Sequence, residues 1–401
     1  MNAPATVDAY AAARLLPLAH DLMPRYLADL AELVAIDSGS HSPEGVNRVA
    51  DWLQARLHAL GLTTERITPD GPVRTGDVLI ARRTGRLAPG QGGRRILLAG
   101  HMDTVFDDGT AAARPFRIDG TIAYGPGVSD DKGGLLAGIA ALELLLRSGW
   151  RDHAEIILLA TPDEEIGSPA SRPVTEHLAA QADYALALEC ARENGDLVVA
   201  RKGVADFLVT VTGRAAHSGV EPERGASAAL AASHLLVDLQ ALNGSIDGVS
   251  VNVGVIQAGH RTNVVCPSGE LRLEVRATTT EGLREAERAV RELAVRPYVP
   301  GTTAVVERLD VCPPMEGTPA ARAMFDLAGL AATELGLTLG AAATGGVGDA
   351  NLIAGAGTPT LDGLGPVGGA DHSPQEWLDT TTVPARIAVL AAVCAGLGHQ
   401  R

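Results

Sequence analysis

The run Ile96-Leu97-Leu98-Ala99, followed by Gly100-His101-Met102-Asp103-Thr104-Val105, limits this chain more than any other stretch. Consecutive apolar residues without alternation read as a strand buried on both faces, and such strands belong to sheets with helices on either side. Past the run the chain stays extended, so His101 and Asp103, two positions apart, point the same way. An imidazole then faces a polar site beside a carboxylate able to orient it. Two further apolar runs end alike. Glu155-Ile156-Ile157-Leu158-Leu159-Ala160 leads into Thr161-Pro162-Asp163-Glu164-Glu165, and Tyr184-Ala185-Leu186-Ala187-Leu188 leads into Glu189. Adjacent acids repel each other unless a cation lies among them or one holds a proton. In open α/β sheets ligands bind at the carboxyl ends of strands. A histidine and several carboxylates gathered there describe a zinc-type site.

The chain has 401 residues, too many for one ordinary core, so two domains are expected. Apolar periodicity predicts a helix over 23–36, and a second follows with Ser42 as N-cap, Pro43 at its first position and Gly61 as its stop. A strand is predicted over 78–81. The glycine-rich segment from Tyr124 through Asp130, Asp131 and Lys132 to Gly134 precedes a helix over 135–146, which places Asp130 just ahead of a helix N-terminus. From Lys202 the texture changes: strand 204–212, helix 225–242, strands 250–258 and 270–276, helix 281–293 and strand 303–311. This β-α-β-β-α-β order is the ferredoxin-like unit. Cys312-Pro313-Pro314 marks the exit from it, so residues 202–312 form an inserted domain between outer-domain segments 1–201 and 313–401. A helix over 320–335 with Thr318 as N-cap, a short helix over 349–354 and a short strand over 358–361 come next. His372 stands in the glycine-rich loop from Gly368 to Pro374, and an apolar helix over 385–397 closes the chain.

Composition removes several function classes. With 33 basic and 48 acidic residues the net charge is −15, the wrong sign for nucleic acid or an anionic membrane, both of which demand basic patches. No apolar run reaches the ~18 residues of a membrane span. The N-terminal stretch lacks a basic region followed by a clean apolar one, so no secretory signal is read. Cys190, Cys266, Cys312 and Cys394 are far apart and form no CxxC pair, which fits a reducing, cytoplasmic setting.

Together GHMDTV, YGPGVSDDKGG, PDEEIGS, the acid at Glu189, AHSG at 216–219, TGGVGDA at 344–350 and the late His372-Ser373 resemble the co-catalytic dizinc peptidases and deacylases. That family includes glutamate carboxypeptidase of the carboxypeptidase G type, aminoacylase, acetylornithine deacetylase and succinyl-diaminopimelate desuccinylase. The likeness covers nearly the whole chain. It implies an α/β fold, a zinc-peptidase-like mixed sheet flanked by helices, with the inserted ferredoxin-like domain serving dimerisation or as a lid. It also implies two zinc ions, with cobalt or manganese as substitutes: His101 and Glu189 hold one, Glu165 and His372 the other, and Asp130 bridges them. Asp103 orients His101, Glu164 is the general base, and a cis peptide follows Asp130. His217 resembles the family histidine that reaches the active site, usually of a partner subunit, while Asn263, Arg276 and Gly346 resemble substrate-binding positions. Val347 interrupts the family's glycine-rich segment.

The activity so implied is hydrolysis of the amide bond to a C-terminal amino acid, glutamate first, by a water shared between the two metals. An N-acyl-amino-acid deacylase is the alternative. The substrate is a small peptide or N-acyl amino acid with a free carboxylate, and a homodimer through the inserted domain is expected. A structural metal protein needs no spare acid such as Glu164, because structural zinc sites are closed. Gly363-Leu364-Gly365-Pro366-Val367-Gly368 matches GxGxxG in form, but it lacks the strand–turn–helix context of a dinucleotide fingerprint.

Overall fold

The computed structural model describes residues 11–399; the first ten residues, where part of the secretory reading falls, and the last two lie outside it. It divides into two compact units. The first holds the described chain up to Val199, Gly317–Ala343 and the chain from Gly348 on; the second holds Ala200–Glu316 and Thr344–Val347. Sequence places all of 313–401 in the outer domain. The difference has a local cause. The backbone N–H of Lys202 donates to the Thr344 carbonyl at 3.0 Å, and the Arg201 guanidinium donates to the Gly346 carbonyl at 3.2 Å. Glu316, beyond the expected exit at Cys312, accepts from the Thr280 N–H at 2.9 Å and its hydroxyl at 2.8 Å.

In the first unit six strands pair in the order Thr63–Ile67, Val78–Thr84, Glu155–Thr161, Arg95–His101, Tyr184–Ala187 and Thr360–Leu361. The last four run parallel and the first two antiparallel to their neighbours. The unalternated apolar runs follow from burial on both faces. Ile96 and Leu98 pack with Leu30, Leu135 and Ile387 of the helices Ala12–Val34, Lys132–Arg147 and Val383–Leu397. Leu97 and Ala99, one residue out of phase, pack with Leu159, Leu178 and Ile353 on the other face. The register sets His101 opposite Thr161 and Ala99 opposite Ala187, so the three acidic strand ends share one edge.

Two departures from the sequence expectation matter. The first helix begins at Ala12, not near Met23, and carries Pro17 and Pro24 within it. Each proline removes one backbone donor, but Leu15, Ala19, Leu22 and Tyr26 are buried against neighbouring helices, and that burial outweighs the local penalty. The second departure is a small antiparallel sheet in the order Gly368–Gly369, Trp377–Asp379, Ile122–Tyr124 and Arg117–Asp119. Sequence predicts only polar segments and a glycine-rich loop there. Strands of two or three residues are too short to show a period, and their pairing is tertiary.

The second unit is a four-stranded antiparallel sheet ordered Val249–Ala258, Ser268–Ala277, Gly203–Thr212 and Thr303–Cys312. Its strands alternate. Ala205, Phe207, Val209 and Val211 turn inward with Leu271, Leu273 and Val275, under the helices Ala228–Gln240 and Thr280–Ala294. Among the described residues, no helix is long and apolar enough to cross a membrane.

Candidate metal centre

Each potential ligand in the first unit is carried by a different element. His101 ends its strand, Glu165 lies in the turn after Glu155–Thr161, and Glu189 follows Tyr184–Ala187. The small sheet supplies the other two: Asp130 follows the strand Ile122–Tyr124, and His372 sits in the turn between Gly368–Gly369 and Trp377–Asp379. Asp130 is central. One carboxylate oxygen lies 2.8 Å from His101 Nε2 and the other 3.2 Å from His372 Nε2. Glu165 Oε2 is 3.0 Å from the same His372 nitrogen, and Glu189 Oε1 is 3.7 Å from His101 Nε2. The five side chains predicted from sequence as ligands therefore lie together, linked through Asp130 and the two imidazoles. The Asp130–Asp131 peptide bond is cis.

Asp103 is fully buried beneath this cluster, its Oδ1 3.3 Å from His101 Nδ1, and the imidazole also meets the Asp103 carbonyl at 3.0 Å. Its oxygens also accept the backbone N–H groups of Glu164 and Glu165, both at 3.2 Å, and the Ser40 hydroxyl at 2.6 Å. One carboxylate thus sets both the imidazole and the acidic turn.

Glu164 is carried well above the usual carboxylate range by burial, reinforced by Glu189, Asp349 and Asp130 and opposed by His101. Burial also raises Glu165, against a hydrogen bond from His372. Hydrogen bonds to Asp130 and Glu165 push His372 up to about 11. For His101, burial works toward the neutral form, yet Asp103, Asp130 and the charge of Glu189 lift it well above its ordinary value. Acids that draw charge onto both imidazoles mark a spot that favours cations.

The donors fit a metal. Two imidazoles and three carboxylates suit zinc and its borderline neighbours. His101, Asp130 and Glu165 each offer a ligand atom within 4.8 Å of the others. Glu165 Oε1 is buried without a hydrogen-bond partner, a costly state for a carboxylate oxygen that coordination relieves.

Three supporting acids escape prediction from sequence. Glu376, 1% exposed, accepts the backbone N–H groups of Gly127 and Ser129 at 2.9 Å and of Asp130 at 3.1 Å, so it clasps the loop that presents the shared aspartate. Asp349 accepts the hydroxyls of Thr161 and Ser168, each at 2.6 Å, and so holds both ends of the acidic turn. Asp131 is fully buried and accepts the His101 N–H at 3.3 Å. A Cβ on Gly134 would fall on Asp131 Oδ1 and the Leu188 carbonyl, so only glycine allows the helix to approach there. The only sequence hint of Glu376 is its place four residues after His372; an acid in a Gly/Ser/Pro loop otherwise reads as solvated.

The remaining predicted residues belong to the second unit. His217 is exposed, and its Nδ1 accepts the Gly219 N–H at 3.1 Å. Its loop is bound to that of Asn263, whose carbonyl accepts from the Ser218 N–H at 3.1 Å. Arg276 bonds Glu274 through Nε at 2.6 Å and Nη2 at 2.9 Å, and it also donates to the Gly345 carbonyl, next to Gly346.

One imidazole and two carboxylates from the ends of the parallel strands, joined by Asp130 and His372 from the small antiparallel sheet, make a site able to hold a metal ion. The model of Peptidase family M20/M25/M40 matches residues 97–395, and the chain belongs to this family, whose members depend on metal, usually zinc. Carboxypeptidase G2 of Pseudomonas sp. (strain RS-16) is 33% identical over 387 residues, spanning 96% of this chain and 92% of its own length. Acetylornithine deacetylase of Myxococcus xanthus is 33% identical over 261 residues, 61% of this chain and 65% of its own. Among solved structures, aminopeptidase PepT of Bacillus cereus aligns over 94% of this chain and 98% of its own, with TM-score 0.76 and 24% identity. The protein is a hydrolase of the metallopeptidase kind.

Proposed function

We propose that this protein is a metallocarboxypeptidase that hydrolyses the amide bond to a C-terminal amino acid, glutamate first among candidates, with Glu164 as general base. The observation that carries the reading is the pairing of Glu164 with Glu165. Both hang from Asp103 through their backbone N–H groups, yet only Glu165 bonds His372, which leaves the neighbouring acid for proton transfer. His101 and Glu189 would hold one divalent ion, Glu165 and His372 a second, and Asp130 both. When bound, such ions polarise the amide carbonyl and acidify water near neutral pH. Glu164 takes the proton from the attacking water and returns it to the departing nitrogen, which leaves as an amine. Asp103 keeps His101 in the tautomer whose Nε2 faces the centre. In the second unit, Arg276 and Asn263 are assigned to the substrate carboxylate, to which a guanidinium offers a fork. Here Arg276 exchanges Glu274 for that carboxylate. Gly346 is assigned to the backbone beside it. His217 is assigned to the oxyanion, acting across a homodimer formed through this unit.

A deacylase acting on N-acyl amino acids is the second reading, favoured by the likeness to acetylornithine deacetylase. An assay of amino acid release from peptidyl and N-acyl substrates, with zinc or cobalt supplied, separates the two. Release of C-terminal glutamate from peptidyl substrates supports the carboxypeptidase; turnover confined to short acyl groups overturns it in favour of the deacylase.

A further inference from the structure

The chain leaving the strand Arg95–His101 is fastened to the segment before the second helix. Gly39 bridges Thr104, the Ser40 N–H donates to the Thr104 carbonyl at 3.2 Å, and the Thr104 N–H donates to the Ser38 carbonyl at 2.9 Å. Asp37 fixes the far end by accepting the N–H groups of Gly109 and Ala111, each at 2.8 Å. The Ser42 hydroxyl donates to Asp108 Oδ2 at 3.0 Å. Between these segments and the turn bearing Glu165 lies a cavity of about 310 Å³, within the size range of small-molecule sites. Glu165 is part of its wall, so the cavity lies against the side of the candidate metal centre that this residue forms.

The chemistry of the lining is selective. Val105, Phe106 and Ile166 supply apolar surface, and Asp107 and Asp108 supply charge, with no lysine or arginine in the wall. The Arg114 guanidinium stands 4.3 Å from the Phe106 ring centroid and donates to the Ser373 carbonyl at 3.1 Å, which steadies the ring; Arg114 itself does not line the cavity. A substrate of the proposed reaction always carries a carboxylate on its leaving amino acid. His41 is the one basic side chain in the wall, against the carboxylates of Asp107, Asp108 and Glu165, so the lining as a whole opposes that carboxylate.

We infer that the cavity receives the acyl side of the scissile amide and selects neutral or cationic acyl groups over anionic ones. The inference rests on the amide-hydrolase reading above. A charge about 6 Å from one aspartate, at an effective dielectric near 40, feels roughly a tenfold effect on affinity. Ammonium and carboxylate acyl groups should therefore differ by roughly a hundredfold.

The test uses three N-acyl glutamates of matched length with the metal-loaded protein: 4-aminobutyryl, butyryl and succinyl. Wild type should show kcat/KM highest for 4-aminobutyryl and lowest for succinyl, about a hundredfold apart. The Asp107→Asn/Asp108→Asn double variant should compress that ratio to about threefold, and Asp107→Lys/Asp108→Lys should reverse the order. Metal uptake of each variant, followed by titration, verifies that the centre is intact. If a variant fails to fold, the wild-type panel decides alone. Hydrolysis of all three by wild type within threefold overturns the cavity assignment and leaves the hydrolase reading standing. A double variant that retains its metal and the full wild-type ratio also overturns it. Hydrolysis of none, with metal bound, overturns both.

Discussion

The two sheets of this chain bury their side chains differently. In the first unit, neighbouring residues of one strand face two cores: Leu97 packs with Leu159 and Ile353, and Leu98 with Leu30 and Ile387. In the second, Val209 is buried beneath two helices while the next residue, Thr210, is exposed. A sheet covered on both faces has only its strand ends free for chemistry, and that is where His101, Glu165 and Glu189 lie. A sheet covered on one face keeps a second surface, which suits a module that meets other things.

Adjacent substitutions can break this contrast. Leu97→Ala and Leu98→Ala should each cost about 2–5 kcal/mol, the usual toll of removing a fully buried leucine. If either costs under about 1 kcal/mol in denaturant unfolding, one face of the first sheet is not packed as described. Val209→Ala should cost roughly 1.5–3 kcal/mol, whereas Thr210→Ala should stay within about 0.5 kcal/mol. Equal costs at the two positions would erase the difference between the sheets.

Two smaller effects sharpen it. Asp103→Asn should weaken metal binding by about tenfold to a hundredfold, measured by competition with a chelator, because it loosens His101 and the acidic turn together. Acid should act on the first unit through His153. Burial pushes this imidazole, stacked 4.1 Å from Trp150, down to about 4. A histidine depressed on folding binds fewer protons than its unfolded counterpart. Its contribution is therefore complete above pH ~6.5 and lost as pH falls toward 4, at no more than about 1.4 kcal/mol per pH unit. His153→Phe should flatten the unfolding-midpoint profile in that window; an unchanged slope would assign the acid sensitivity elsewhere.

Most of both sheets was legible in the sequence because each writes its burial into a period, unbroken apolar runs for the first and alternation for the second; the edge strand Thr63–Ile67, which is nowhere fully buried, was not. The gathering of acids at strand ends was legible for the same reason, since a buried run that stops at a charge names its own terminus. What stayed hidden is tertiary. The small sheet that presents Asp130 and His372 uses strands of two or three residues, and its loop is clasped by Glu376 from some 247 positions away. The first eleven residues of the helix Ala12–Val34 were hidden too, because Pro17 and Pro24 read as breaks until packing overrides them. Within the inserted unit, the tie between Thr344–Val347 and Arg201–Lys202 leaves no trace in a linear pattern.

The adjacent pair Glu164 and Glu165 offers the sharpest test of the whole account, by metal titration and turnover on the same preparations. Glu164→Gln should take up as much metal as wild type yet lose at least about a hundredfold in kcat, while Glu165→Ala should lose metal. A Glu164→Gln protein that turns over normally, or a Glu165→Ala protein that binds metal as wild type does, would contradict the division of labour between ligand and base.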